Sequence, residues 1–227
     1  MRRLLRSVRL SLGFLLGRKL ALFATIDVLV VGWSLMGMLL NSPESNPMAI
    51  YQYLFLIPAA VLALPALAGI VDLERRAGCL DLALSAPGAE GYFLRRAGAV
   101  CGVAAAQGVV LVLIGWLYLE RTFPLLPALL QIAVVSAFLG TVSLFWAVRL
   151  RTAGAVWLAS AVTVTLMGRW FFFDPTNRKF GAAHRPFLPD GEEALPWLAS
   201  FAVLALGATL FYLYARRRLR RPERMLS

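Results

Sequence analysis

Hydrophobic residues form long blocks along this chain, separated by short polar segments. The chain largely lacks the short alternation of hydrophobic and polar residues that marks the amphipathic strands and helices of a soluble protein. A helix needs about 20 mostly apolar residues to cross a bilayer, and six stretches of the chain qualify. The six stretches cover roughly residues 20–40, 50–71, 97–119, 126–148, 153–173 and 195–215. Only residues 149–152 separate the fourth stretch from the fifth, which predicts a tight helical hairpin. The pattern therefore predicts an all-α integral membrane protein, a single domain with six transmembrane helices.

Composition leads to the same class of protein. Of the 227 residues, 60% are hydrophobic and 15% are charged, whereas charged residues make up about 25% of a soluble domain. The two cysteines, Cys79 and Cys101, provide neither a disulfide framework nor the spacing of a metal site. His184 is the single histidine, and no cysteine or carboxylate cluster lies near it in the sequence, so we predict no metal centre.

The net charge of +11 does not indicate a nucleic-acid partner, because the basic residues gather at the ends of the apolar stretches. Eighteen of the 23 Lys and Arg residues fall on one side of a six-span arrangement. The positive-inside rule then places both termini and the 72–96 connection in the cytoplasm, and the 174–194 connection outside, where it can form short re-entrant turns. We expect a multi-pass protein of the inner (plasma) membrane. The excess of Arg over Lys indicates a GC-rich bacterial genome.

Two terminal segments carry much of the positive charge. Residues 1–19 predict an amphipathic helix that lies in the membrane interface, with its apolar residues on one face. Four arginines occupy the opposite face of this helix: Arg2, Arg3, Arg6 and Arg9. The alternative is a basic end that only sets the orientation of the chain. Residues 216–227 form a basic cytoplasmic tail.

The connection between the second and third stretches predicts a second surface helix, of about three and a half turns, over residues 72–85. Its apolar residues recur at helical spacing along one face: Leu73, Ala77, Leu80 and Leu84. Its polar residues lie away from that face: Glu74, Arg75, Asp81 and Ser85. Pro87 and Gly88 end the helix. A face of mixed charge suits docking to a soluble partner, and the alternative is a solvated loop helix with no partner.

The sequence of residues 74–87, ERRAGCLDLALSAP, resembles a segment of the type-two ABC transporter permeases. In that family a pattern close to E-x-x-x-G-x-L-x-x-L-L-x-x-P follows the second span. The chain matches the pattern at Glu74, Gly78, Leu80, Leu84 and Pro87, whereas Ala83 stands where the family usually has leucine. The resemblance implies a coupling helix that docks into an ATP-binding subunit through these residues and the neighbouring Arg75, Arg76, Asp81 and Ser85.

The same resemblance implies a permease that pairs with a second copy of itself or with a homologous permease. The chain contains no G-x-x-x-x-G-K-[ST] phosphate-binding loop, so we expect no cofactor in this chain and assign ATP and Mg²⁺ to the separate subunit. The largely uncharged spans favour an exporter of an amphiphilic or lipid-linked substrate. One alternative is a membrane scaffold or assembly subunit that uses the same cytoplasmic face without transport. A membrane-embedded enzyme is disfavoured by the missing nucleophile and metal motifs.

Asp27 lies about two turns inside the first predicted span. An ionisable residue at that depth is a candidate transport site because exposing it to lipid is costly. The alternative is a neutral or paired aspartate that holds helices together, or one close enough to the membrane surface to be hydrated. Gln107 and Gln131 can also form hydrogen bonds across helices, and we expect them to serve packing. Gly98, Gly102 and Gly108 give the third span small faces that favour close helix packing, either at the contact with a second permease or inside the bundle.

Overall fold

All regular secondary structure in the described part of the chain is helical, which confirms the all-α prediction for those residues. The computed structural model describes residues 17, 20–40, 57–86, 88–118, 125–172 and 194–220. Within these ranges there are seven helices and no strand. The helices are α1 (Leu20–Leu40), α2 (Ile57–Arg76), α3 (Leu80–Ser85), α4 (Ala89–Tyr118), α5 (Leu125–Ala147), α6 (Ala153–Phe172) and α7 (Ala194–Leu219).

Each apolar stretch of the sequence corresponds to one long helix. The bounds of α1, α5 and α6 agree with the predicted stretches to within one residue. Helix α2 continues to Arg76 and α4 begins at Ala89, so both extend beyond their apolar stretches into charged sequence. Two helical segments, Ala89–Leu117 and Ala128–Ala147, are long and apolar enough to cross a membrane, and shorter apolar segments lie in α1 and α6.

Helix α5 forms the centre of the bundle and packs against α2, α4, α6 and α7. Its side chains Ile132, Leu139 and Leu144 are almost completely buried. Where α5 meets α4, a Cβ atom added at Gly140 would lie 2.2 Å from the Sγ atom of Cys101. Glycine at this position therefore allows the two helices to approach closely.

The outer surface of the bundle is apolar. Large side chains are exposed on the helices around α5, among them Trp33 on α1, which is 80% exposed, and Ile114, Leu158 and Leu210 on α4, α6 and α7. Contiguous apolar surface of this kind is rare on soluble monomers, whereas lipid solvates it without cost. Together with the two long apolar helices, this surface is consistent with a membrane protein.

Charged side chains are concentrated where α2 ends, α4 begins, α5 turns into α6 and α7 ends. We call these parts, residues 72–96, 148–152 and 215–220, the charged end. They are in mutual contact: Arg75 of α2 donates a hydrogen bond to the carbonyl of Leu150, and Glu90 of α4 forms ion pairs with α7. Helix α4 has 30 residues and is about 45 Å long, which exceeds the roughly 30 Å hydrocarbon core. Its first two turns, residues 89–96, carry Glu90, Arg95 and Arg96 and precede the apolar stretch predicted at 97–119.

Several predictions concern residues outside the described part of the chain. They are the interfacial helix with Arg2, Arg3, Arg6 and Arg9, residues 174–193 of the external segment, residues 221–227 of the basic tail, and Pro87.

Candidate partner-docking site

The segment predicted to be one helix over residues 72–85 consists of two helices, so that prediction was wrong. Helix α2 ends at Arg76, and α3 begins at Leu80. Gly78 lies between them with φ +67°, in the left-handed region that glycine adopts readily. The amide of Gly78 donates to the carbonyl of Arg75, and the amide of Cys79 donates to that of Glu74, at 3.1 and 3.0 Å. This is the Schellman cap, which ends a helix and redirects the chain.

Helix α3 keeps the apolar face that the sequence predicts. Leu80 and Leu84 are buried in the core of the bundle, while Asp81 and Ser85 are exposed. Leu82, a large apolar residue, is also exposed, by 74%. We use the term docking surface for five exposed residues of this segment, Arg76, Gly78, Asp81, Leu82 and Ser85; Ala77 and Ala86 beside them are exposed too. The surface combines both signs of charge with one large apolar side chain at its middle.

Glu74 does not belong to this surface, contrary to the sequence prediction. The residue is only 3% exposed, and its carboxylate forms an ion pair with Arg96 of α4, which is 5% exposed. The correction has a physical reason, because α2 remains helical through Glu74 and turns that side chain inward toward α4. A buried carboxylate requires a partner, and Arg96 provides it.

Tyr92 completes this buried group. Its hydroxyl donates a hydrogen bond of 2.8 Å to Oε1 of Glu74, and the Arg96 guanidinium lies 4.2 Å from the centre of its ring. Burial, together with this hydrogen bond, raises the pKa of Tyr92 to about 12, so the hydroxyl keeps its proton at neutral pH. The second carboxylate oxygen, Oε2, is buried and has no hydrogen-bond partner within the described residues. The three side chains fasten the end of α2 to the beginning of α4.

The two arginines that follow Glu74 differ in their surroundings. Arg75 is half-buried and its Nη1 lies 2.9 Å from the Leu150 carbonyl, so it ties α2 to the turn between α5 and α6. Arg76 is exposed and forms an ion pair of 2.6 Å with Asp72, one helical turn earlier. Only Arg76 is therefore available to a docking partner in this arrangement.

Asp27 lies away from the docking surface, in the contact between α1 and α4. The Gln107 amide donates a hydrogen bond of 2.8 Å to its Oδ2 atom, and Oδ1 is buried without a partner among the residues that the structure describes. The bond between the two helices agrees with the interpretation of Asp27 as a residue that holds helices together. The side-chain amide of Gln131 is buried on α5 and has no hydrogen bond within the same described part.

Sequence reasoning missed two residues that organise the charged end, Tyr92 and Glu90. Tyr92 lies one helical turn before Arg96, so the i, i+4 spacing on α4 was an available signal. Glu90 accepts hydrogen bonds from Arg216 of α7 and from Arg220 directly after it. These residues are 126 and 130 positions from Glu90, and no local pattern encodes such a pairing. Within the bundle, added Cβ atoms at Gly98 and Gly102 would meet nothing within 4 Å, whereas Gly140 makes the close contact.

The described residues contain no group of three or more His, Cys, Asp or Glu side chains that could hold a metal ion. Comparison with protein-family models, with curated proteins and with solved structures gives no match. The resemblance to the type-two ABC permeases therefore rests on the pattern within residues 74–87 and on the arrangement of the apolar stretches.

Proposed function

We propose that the chain is the permease subunit of an ATP-driven ABC transporter of the inner (plasma) membrane, with α3 as the helix that docks into a separate ATP-binding subunit. The complex would export an amphiphilic or lipid-linked substrate, and a second copy or a homologous permease would complete the pathway. ATP and Mg²⁺ would be bound by the ATP-binding subunit.

The observation that carries this proposal is the orientation of α3. A six-residue helix has little stability of its own, and Leu80 and Leu84 hold it against the bundle. The same attachment leaves Asp81, Leu82 and Ser85 exposed. An exposed leucine between charged and polar neighbours is the composition of a small protein interface, in which an apolar anchor is surrounded by a polar rim.

The contacts of the charged end support a six-span arrangement with this end in the cytoplasm. The ends of α2 and α7, the beginning of α4 and the α5–α6 turn meet there, and each contributes arginine. Clustering of arginine on one side of the apolar bundle is the distribution expected for cytoplasmic connections. In this arrangement the docking surface faces the compartment that contains ATP.

Co-purification tests the proposal directly. The chain is expressed with an ABC-type ATP-binding protein encoded beside it, and ATP hydrolysis is measured in lipid nanodiscs. Leu82→Glu should abolish co-purification because it places a charge at the apolar centre of the docking surface. Arg217→Ala, an equal change in net charge at an exposed position of the charged end, should leave it intact.

The result also separates transport from the scaffold alternative. Stable binding of the ATP-binding protein together with substrate-stimulated ATP hydrolysis supports the permease. Stable binding without any stimulation by amphiphilic substrates would favour a scaffold that uses the same surface. If Leu82→Glu and the unmodified chain bind equally, α3 is not the docking helix.

A further inference from the structure

The buried group beneath α3 joins the docking segment to the rest of the bundle. Glu74 contributes to this junction with both its backbone and its side chain. Its carbonyl accepts the Cys79 amide at 3.0 Å in the Schellman cap, and the Cys79 thiol lies 3.6 Å from the same oxygen. Its carboxylate meanwhile pairs with Arg96 and accepts from Tyr92. One residue thus connects the turn that positions α3 to the first two turns of α4.

Helix α4 is bound on two sides at this level. Tyr92 and Arg96 lie one turn apart on the side that faces α2, and between them Phe93 is fully buried in the core. Glu90 lies on a different face of α4 and pairs with Arg216 of α7 and with Arg220, which directly follows that helix. The beginning of α4 is therefore a hub between α2, α3 and α7.

We infer that Glu74, Arg96 and Tyr92 form a rigid joint that makes α3 and the beginning of α4 move as one body. A displacement of α3 would then be passed directly to α4 and would not be absorbed by the turn at residues 77–79. Glu74 and Arg96 are positioning residues in this view, since neither is exposed to a partner. The use of this joint in transport rests on the proposed function, whereas its rigidity does not.

The chemistry of the group explains why the joint would be rigid. Separating the buried carboxylate of Glu74 from the Arg96 guanidinium leaves the carboxylate without its cation in a medium of low dielectric constant. The Tyr92 hydroxyl is a further donor to the same oxygen, and the Tyr92 ring covers the guanidinium. By contrast, the ion pair of Arg76 with Asp72 is exposed on the arginine side and connects residues of a single helix, so it cannot transmit movement between helices.

Amide hydrogen exchange of the full-length protein in nanodiscs, without ATP-binding subunit or nucleotide, tests the rigidity. Glu74→Gln should raise the exchange rate of residues 77–86 by at least about tenfold, because loss of the joint frees the α2–α3 turn to open locally. Exchange in residues 153–166 of α6 should stay unchanged. The charge swap Glu74→Arg with Arg96→Glu should restore slow exchange. The matched control, Arg76→Gln, breaks the exposed pair and should change nothing in residues 77–86.

Tyr92→Phe provides a second test if Glu74→Gln does not fold. It removes one hydrogen bond and retains the ring, and it should raise exchange in residues 77–86 to a smaller extent. Unchanged exchange in both variants would overturn the joint. An equal rise in residues 77–86 and 153–166 would also overturn it, because the group would then serve general stability.

A second measurement separates failure of the joint from failure of the proposed function. The same variants are assembled with the ATP-binding subunit, and ATP hydrolysis and substrate export are recorded together. A working joint predicts that Glu74→Gln still binds the subunit but exports less substrate for each ATP hydrolysed. The chain could show the expected change in amide exchange at residues 77–86 and yet bind no ATP-binding subunit. That result would support the joint and contradict the proposed transporter function.

Discussion

Glu74 and Arg96 are 22 residues apart in the sequence and form a buried ion pair that joins the end of α2 to the beginning of α4. Both residues fall within the 72–96 connection, which the sequence predicts to be cytoplasmic. Because both charges are buried inside the bundle, neither residue can contact a partner. The side chains that a partner could contact on this connection are chiefly Arg76, Asp81 and Leu82.

The first prediction concerns the stability of this pair. Arg96→Leu should destabilise the protein by about 3–5 kcal/mol, because it leaves the Glu74 carboxylate buried without its cation. The double variant Glu74→Leu with Arg96→Leu should recover most of that loss, since no charge then remains buried. Thermal unfolding in detergent measures both. The exposed pair offers the control, and Arg76→Leu should cost at most about 1 kcal/mol. Equal losses for the single and double variants would contradict the prediction.

The second prediction concerns the cap between α2 and α3. Gly78 has φ +67°, and a side chain in the left-handed region costs roughly 1–2 kcal/mol. Gly78→Ala should therefore lower the unfolding temperature even though the space around it is open. Gly98→Ala is the matched control, because Gly98 lies inside α4 with nothing within 4 Å. There alanine should stabilise the helix by up to about 1 kcal/mol. If Gly78→Ala and Gly98→Ala both lowered or both raised the unfolding temperature, the positive φ of Gly78 would not explain the effect.

Residues 74–84 show which features of the docking segment can be predicted from the sequence and which cannot. Leu80 and Leu84 lie on one apolar face, as the spacing predicts, but they are buried in the bundle and are not available for the docking that the resemblance implies, and Ala77 of the same predicted face is exposed. Helical periodicity alone favoured one continuous helix, because a single glycine is tolerated inside a helix. The cap depends on Gly78 adopting positive φ, and the inward turn of Glu74 depends on Arg96 being in reach. The latter is a tertiary contact that a local pattern does not contain.

The long helices were easier to predict than the contacts between them. Six apolar stretches gave six helices because length and hydropathy are properties of each segment alone. The contact of Gly140 with Cys101 and the pairing of Glu90 with α7 depend on how helices are arranged, and many arrangements bury similar apolar surface. The glycines of α4 were therefore plausible packing positions, although Gly140 on α5 makes the close contact.

A third prediction follows from that contact. Gly140→Ala should destabilise the protein by about 1–3 kcal/mol, because the new methyl group would overlap the Cys101 thiol and force α4 and α5 apart. Replacing the thiol by a smaller group in the double variant Gly140→Ala with Cys101→Ala should remove much of the cost. Gly102→Ala, with no atom within 4 Å, should be tolerated. Unfolding measurements on the unmodified protein, Gly140→Ala, Cys101→Ala and the double variant form a double-mutant cycle, and the absence of coupling would refute the contact.

The fourth prediction separates the two interpretations of Asp27. Asp27→Asn keeps an oxygen that can accept the Gln107 hydrogen bond, whereas Asp27→Leu removes it. If Asp27 only holds α1 and α4 together, Asp27→Leu should lose stability and Asp27→Asn should not. The expected loss is about 1–2 kcal/mol, the contribution of one interhelical hydrogen bond. A transport role predicts that Asp27→Asn abolishes export by the complex while the protein remains as stable as before. Unfolding temperature and export measured on the same preparations distinguish these outcomes.

The last prediction concerns acid and the contact between α4 and α7. The hydrogen bonds and charges of Arg220 and Arg216 lower the pKa of Glu90 from its ordinary value of about 4.5. Because the pKa is lower in the folded protein, this contact stabilises the fold above about pH 4.5, and the stabilisation is lost as the pH falls through the folded pKa.

Glu90→Gln should therefore unfold at a lower temperature than the unmodified protein near neutral pH. The difference should shrink as the pH is lowered from about 7 to about 3, because protonation removes the same charge. Asp81→Asn is the control, since Asp81 is exposed on α3 and its replacement should shift the unfolding temperature little at any pH. A difference between Glu90→Gln and the unmodified protein that stays constant over this range would show that the Glu90 charge does not stabilise the α4–α7 contact.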